Sequence, residues 1–330
     1  MSQPLLTVED LQVVFHTPLG DVQALRGISF QIEQGQIFGL VGETGCGKSV
    51  TGRAIMGLVP NPGEVVGGRI IYDEQNMLTL TPRDTQRIRG KRISMIFQDP
   101  SAALNPVFTI GQQLTMVMRH HGVASGAELW RRAIELLTDV GLPAPEGLLN
   151  TYPHELSGGM QQRVMIAIAL SPDPDLIIAD EPTTALDVTI QSQILALLLE
   201  LQQSRGITVI LITHNMGIVA ETCQQVAVLY AGRIAEQGAV HDIFHAPKHP
   251  YTQGLLAALP NPGSRGQTLR VIPGSVPSGL NPLPGCAFAS RCEHVMDRCH
   301  TQHPAFYRLS DEHHVACYLY EQTEEVGPAV

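Results

Sequence analysis

Aromatic residues are scarce in this chain: 8 Phe, 7 Tyr and 1 Trp make up 5% of its 330 positions. Positive charge is also short, with 21 Lys and Arg against 31 Asp and Glu, a formal net charge of −10. Without an excess of basic residues or a basic run to neutralise phosphates, no nucleic-acid partner is expected. No uninterrupted apolar segment approaches the ~18 residues needed to cross a bilayer. Val164 to Leu170 and Ile207 to Ile212 are core-length segments instead. Met1 to Asp10 has neither a basic n-region nor a long apolar core, so no secretion signal is expected. The expectation is a reducing, cytosolic location, with any membrane attachment made through a partner. There are no internal repeats and no low-complexity tract. Cysteine is sparse and uneven. Cys46 and Cys223 stand alone, while Cys286, Cys292, Cys299 and Cys317 crowd into the last fifth of the chain. In a reducing compartment such a cluster points to a metal site before it points to disulfides.

What is present is enough apolar residue, 44%, for two domains with cores of their own. The chain is organised around Gly42-Glu43-Thr44-Gly45-Cys46-Gly47-Lys48-Ser49. An apolar run, Ile37 to Val41, reads as a buried strand before it. Ala54, Ile55 and Leu58 recur at helical spacing after it. In a strand–turn–helix context, G-x-x-x-x-G-K-[ST] is a phosphate loop. Its glycines let successive N–H groups turn toward phosphate oxygens, and the helix N-terminus adds partial positive charge. Lys48 would reach the β- and γ-phosphates and Ser49 would ligate Mg²⁺. A thiol beside a helix N-terminus and a lysine should have a lowered pKa. Thiol reagents are therefore expected to attack Cys46 and bound nucleotide to protect it.

Residues 5–15 and 27–32 alternate apolar and polar residues, and with 67–72 they predict a small antiparallel sheet. Ile93 to Phe97 is a short buried strand ending at Gln98. From Ile110 to Val140 the period is helical, with Leu129, Ala133, Leu136, Leu137 and Val140 on one face, which predicts an inserted helical lobe. Ser157 is a natural N-cap for a helix running through Leu170. Buried strands follow at 175–181 and 207–214, with an apolar helix at 190–202 between them. A hairpin is predicted over 226–236. Strands alternating with helices imply a mostly parallel sheet with helices on both faces. Past residue 246 proline, glycine and histidine rise. A linker-like stretch is predicted at 260–284 and a compact cysteine-bearing end at 285–320.

Asp180 and Glu181 close a buried strand at its carboxyl end, where open α/β sheets bind ligands. Alone they read equally well as a solvated acidic turn. Beside a phosphate loop they read as the holder of Mg²⁺ and the group that polarises the attacking water. Ser157, Gly158 and Gly159 at a helix N-terminus form a second anion site in the same chain. One nucleotide does not need two such sites, so the second is explained if it completes the pocket of a facing subunit.

Taken in order, Gly42 to Ser49, Gln98, Leu156 to Arg163, Leu176 to Glu181, Ala185-Leu186-Asp187 and His214 resemble the nucleotide-binding subunit of ATP-binding-cassette (ABC) transporters. The likeness covers residues 5–245. It implies an α/β P-loop NTPase cassette with a mostly parallel core sheet, an antiparallel β subdomain and a helical subdomain at about 99–160, together filling residues 1–250. It implies that Gln98 contacts Mg²⁺ and the attacking water, with Ser49 and Asp180 as the other Mg²⁺ groups. Ser157, Gly158 and Gly159 would clamp ATP held by the opposite subunit. Asp187 would lie at the dimer seam, and His214 would hold the γ-phosphate and orient Glu181. Phe15 would stack on adenine, although a plain core role fits it nearly as well.

Residues 251–330 narrow the likeness. His249 to Leu256 followed by the cysteine cluster resembles the oligopeptide/dipeptide/nickel importer ATPases, and the dipeptide-type D subunit most of all. That family implies a second, homologous ATPase subunit, two permeases and an external substrate-binding protein, with the ATPases on the cytoplasmic face of the membrane. Phe97 to Pro106 matches the segment that would meet a permease, or is a plain connector. Cys286, Cys292, Cys299 and Cys317 suit tetrahedral zinc or a [4Fe–4S] cluster by count. Their wide spacing and the resemblance favour [4Fe–4S] as a staple for a small Cys-rich C-terminal domain. Four reduced structural thiols are the alternative. The expected function is ATP hydrolysis powering import of peptides, nickel or a metal–metallophore complex. The competing reading is an ABC ATPase not coupled to transport.

Overall fold

The computed structural model describes residues 3–184, 186–259, 272–280 and 284–326. The chain divides into two compact units, residues 1–79 with 211–330, and residues 80–210.

The first unit contains a four-stranded antiparallel sheet. Its order is Gly20–Ile32, Leu6–Thr17, Gly63–Tyr72 and Gln75–Asn76. Leu6, Val8, Leu11 and Val13 bury the inner face of the second of these strands. Between Val8 and Leu11 the register slips as a bulge, where Asp10 takes φ 44° and its N–H donates to Ser29 Oγ at 2.8 Å. The strand expected from Gly27 begins at Gly20, because a tight turn pairs Thr17 with Gly20 and His16 with Asp21. Asp21 to Ala24 do alternate polar and apolar residues, matching their exposed and half-buried positions, so this part of the strand was within reach of sequence reading.

Also in this unit, Ile37–Val41 lies parallel to Gln225–Tyr230, and all five of its residues are buried. Gln225–Tyr230 pairs antiparallel with Arg233–Ala239. The predicted hairpin is therefore present. Its two-residue turn places Ala231 at φ 45° and Gly232 at φ 78°, the paired positive angles that match strand twist. Arg233–Ala239 then pairs with His314–Val315, which pairs with Phe306–Arg308, and that strand pairs with Glu324–Val326. The C-terminal extension thus adds three short strands to the edge of the cassette's own sheet. A separate small Cys-rich domain is not supported. Tyr251 is fully buried, and Phe288 packs on it at 5.4 Å between ring centroids and on Tyr230 at 5.3 Å. Aromatic burial of this kind contributes about 1.5–3 kcal/mol per side chain, which supplies the cohesion a metal staple was expected to provide.

The second unit holds the predicted helical lobe. Ile110–His120 opens on a capping box between Thr109 and Gln112. Ala127–Asp139 buries Leu129, Ala133, Leu136 and Leu137 along one face, as the spacing predicts. Gly158–Leu170 and Val188–Arg205 are the other long helices. Ile93–Ile96 runs parallel to Leu176–Asp180, with every residue of both strands buried. The next strand, Thr208–Thr213, starts where Thr208 N–H bonds to Asp175 O at 2.9 Å.

Candidate active site

In the first unit the chain leaves Ile37–Val41 into the glycine loop and enters the helix Lys48–Ile55. Gly42 sits at φ 149°, and a Cβ there would collide with the carbonyl oxygen of Leu229. Gly47 sits at φ 111° and caps the helix. A Cβ there would lie 2.7 Å from Leu25 and 2.8 Å from Ala24 O. Both positions demand glycine on conformation and on space. Lys48 is 5% exposed and donates from Nζ to Gly42 O at 2.8 Å and Glu43 O at 3.1 Å. The ammonium is thereby held inside the curve of its own loop. Thr44 and Gly45 are exposed, and Ser49 is half-buried.

One side chain of this loop departs from expectation and another makes a contact that the sequence did not suggest. Cys46 is fully buried, and burial pushes its thiol pKa up against the opposing pull of Lys48, whose Nζ lies 3.9 Å from Sγ. The expected reactive thiolate is corrected to a protonated, enclosed thiol, because desolvation outweighs the nearby ammonium. Glu43 turns its carboxylate away from the loop's interior and onto Arg291, as a bidentate pair at 2.6 and 3.0 Å.

Phe15 lies in the strand Leu6–Thr17, half-buried, and its ring covers Gly63. His214 is exposed just beyond Thr208–Thr213. There Asn215 caps the helix Met216–Thr222 by accepting from Gly217 N–H at 2.9 Å and Ile218 N–H at 3.4 Å.

In the second unit the acidic pair closes the strand Leu176–Asp180. Asp180 is 2% exposed. Glu181 takes φ 47°, a left-handed conformation costly for a side chain with a Cβ. Its Oε2 accepts from Gln98 Nε2 at 3.0 Å and from Thr184 Oγ1 at 2.8 Å. The structure therefore brings together Gln98 and Glu181, which sequence reading placed in one site, and adds Thr184, which it missed. Only the neighbourhood of Glu181 could have suggested Thr184. Ser157 caps Gly158–Leu170 by accepting from Met160 N–H at 3.4 Å, and both Ser157 and Gly158 are exposed. Asp187 caps Val188–Arg205 by accepting from Ile190 N–H at 3.0 Å. Of Ala185-Leu186-Asp187, the first residue lies outside the described residues.

The structure does not form the expected metal centre. Among the described residues no three His, Cys, Asp or Glu side chains are placed to hold one metal ion. Burial raises the Cys292 thiol and pushes those of Cys286 and Cys317 up to about 11. The segments of Cys286 and Cys299 adjoin, the Cys286 N–H donating to Cys299 O at 2.8 Å.

Two family models match this chain: "ABC transporter" over residues 25–184, and "Oligopeptide/dipeptide transporter, C-terminal region" over residues 235–299. The dipeptide transport ATP-binding protein DppD of Bacillus subtilis is 47% identical over 324 residues, covering 98% of this chain and 97% of that one. The chain belongs to the ATP-binding subunits of the oligopeptide/dipeptide ABC transporter family. The oligopeptide transport ATP-binding protein OppD of Salmonella typhimurium is 46% identical over 91% of this chain and 89% of its own. Among solved structures, the cassette MJ0796, in a dimeric post-hydrolysis state bound to ADP and Pi, matches with a TM-score of 0.64 and 28% identity. That match covers 71% of this chain and 98% of that one. As a family member the chain is an ATP-hydrolysing subunit of an importer, and membership implies permease subunits and a substrate-binding protein. Among the described residues no helix is long and apolar enough to cross a membrane. These findings give no support to the competing reading of an ABC ATPase uncoupled from transport.

Proposed function

We propose that this chain is one of two ATPase subunits driving import of di- or oligopeptides, working on the cytoplasmic face of the membrane. The loop Gly42 to Ser49 would take the triphosphate, with Lys48 exchanging its two loop carbonyls for phosphate oxygens. Phe15, with its ring half-buried, would stack on adenine. Glu181 would accept a proton from the attacking water. Gln98 and Thr184 hold that carboxylate through hydrogen bonds, and a left-handed backbone turns it off the strand end. That constellation of Gln98, Glu181 and Thr184 is the observation that carries the catalytic part of the reading. His214 would contact the γ-phosphate. Ser49, Asp180 and Gln98 are oxygen donors of the kind Mg²⁺ takes, and the ion when bound would neutralise charge on the β- and γ-phosphates.

Ser157, Gly158, Gly159 and Asp187 would face ATP held by a homologous second subunit. What supports this is that the exposed Ser157 and Gly158 open a 13-residue helix, whose first N–H groups have no partner within the helix and whose N-terminus carries partial positive charge. A permease contact is supported by apolar exposure on the helical unit. Phe97 and Phe108 are 38% exposed and Val107 is 71% exposed. The buried amide of Gln113 fixes their connecting loop through bonds to Asn105 and Phe108. The peptide cargo follows the names of the relatives. Nickel and metallophore cargo have no such support. A cluster at Cys286, Cys292, Cys299 and Cys317 rests only on their number and their grouping in the sequence, and metal analysis of anaerobically purified protein decides it.

The test is Glu181→Gln in the assembled transporter. ATP should still bind while turnover falls by about 10²-fold or more, the scale of losing a positioned general base. Retention of wild-type hydrolysis would remove Glu181 from its role.

A further inference from the structure

Glu43 is held twice by the C-terminal extension, once through its backbone and once through its side chain. Its N–H donates to the hydroxyl oxygen of Tyr251 at 2.9 Å. Its carboxylate is gripped by Arg291, whose side chain is only 3% exposed. All five guanidinium N–H groups are used. Nε donates to Pro273 O at 2.8 Å. One terminal nitrogen donates to Glu43 and to Tyr230 Oη at 3.2 Å, and the other to Glu43 and to Ile272 O at 3.2 Å. The guanidinium carbon also lies 5.8 Å from the ring centroids of both Tyr230 and Phe288. A planar fork satisfied on every side has one available geometry, and so does the carboxylate it holds.

The consequence reaches the phosphate loop. Glu43 is the second residue of that loop, and its carbonyl is one of the two that hold Lys48 Nζ. The extension therefore sets the position of the carbonyl that competes with phosphate for the lysine. It also withdraws the Glu43 amide from the loop interior. From this we infer that Arg291, with Tyr251, is a positioning residue for ATP. The C-terminal extension presets the phosphate loop, and nucleotide affinity depends on the Arg291–Glu43 pair. The inference rests on the assignment of Gly42 to Ser49 as the ATP site.

The test compares wild type with Arg291→Ala, Arg291→Lys, Glu43→Gln and the Arg291→Ala/Glu43→Gln double variant. Equilibrium binding of a fluorescent ATP analogue with Mg²⁺ is measured on the full chain, and KM and kcat on the assembled transporter. Thermal unfolding is followed in parallel. Arg291→Ala should raise Kd and KM roughly tenfold, the usual scale of coupling between contacting residues, with kcat within about threefold. Glu43→Gln should do the same, the double variant should be no worse than either single one, and Arg291→Lys should recover part of the loss. Wild-type Kd and KM in Arg291→Ala would overturn the inference. So would additive effects in the double variant, or losses that only track the folded fraction. Lys48→Ala is the control. If it binds ATP like wild type, the phosphate-loop assignment has failed, not the role of Arg291.

Discussion

At the scale of single residues, environment decides chemistry more than neighbours in sequence do. Cys46 has a lysine and a helix N-terminus beside it, which argues for a thiolate. It is also wholly enclosed, and the enclosure wins. We expect iodoacetamide to leave Cys46 unmodified in the native chain, with or without ATP, and to label it on denaturation, as peptide mass spectrometry would show. Native labelling that ATP suppresses would restore the reactive thiolate. Glu181 makes the complementary point. That Glu181 and Gln98 lie together was legible through the family resemblance, and the two side chains are hydrogen-bonded. Thr184 was not, because a threonine three residues on is ordinary in sequence and acquires meaning only from the turn that folds it back. The Arg291–Glu43 pair was illegible for a stronger reason. Its members are 248 positions apart, and no local pattern in either segment announces the other.

Among the elements, those with strong periodicity or a capping residue were readable. The helix opened by Ser157 was read from its cap, while those opened by Thr109 and Asp187 were read from their periodicity and apolar content, and their caps emerge only in the structure. The cysteine-bearing end was not readable in the same way. Its pieces are strands of two or three residues and short 3₁₀ turns, too short for any period, and the strands are held through the pairing of His314–Val315 to Arg233–Ala239. The helix Pro250–Ala257 shows how that end is fastened. His249 caps it by accepting from Tyr251 N–H at Nδ1, 3.0 Å away. Burial holds His249 neutral and lowers its pKa to about 4, against the raising influence of Glu236. His303 is likewise lowered to about 4, by burial first. Unfolded histidines take up protons near 6.5, and these two do so only near 4. Between those values the unfolded chain binds more protons, so stability is complete above about pH 6.5 and falls as pH drops toward 4. The loss is on the order of 3 kcal/mol per histidine across that window. His249→Asn, which keeps a capping acceptor, should flatten the fall in urea midpoint between about pH 7 and pH 4.5. An unchanged slope would contradict the assignment.

For the whole molecule, each unit carries some of the residues proposed for ATP binding and hydrolysis. Residues 1–79 with 211–330 carry the phosphate loop, Phe15, His214 and the extension. Residues 80–210 carry Gln98, Asp180, Glu181, Ser157 and Asp187. The central claim is that this chain turns over ATP as one half of a pair, since Ser157, Gly158 and Gly159 have no use within a single subunit's reading. The most direct measurement is steady-state ATP hydrolysis by the purified chain alone across a range of dilutions, beside the same chain assembled with a homologous subunit and the permeases. The account predicts slow hydrolysis by the lone chain, whose specific activity falls on dilution, and full turnover on assembly. Full, dilution-independent turnover by a monomer would contradict it.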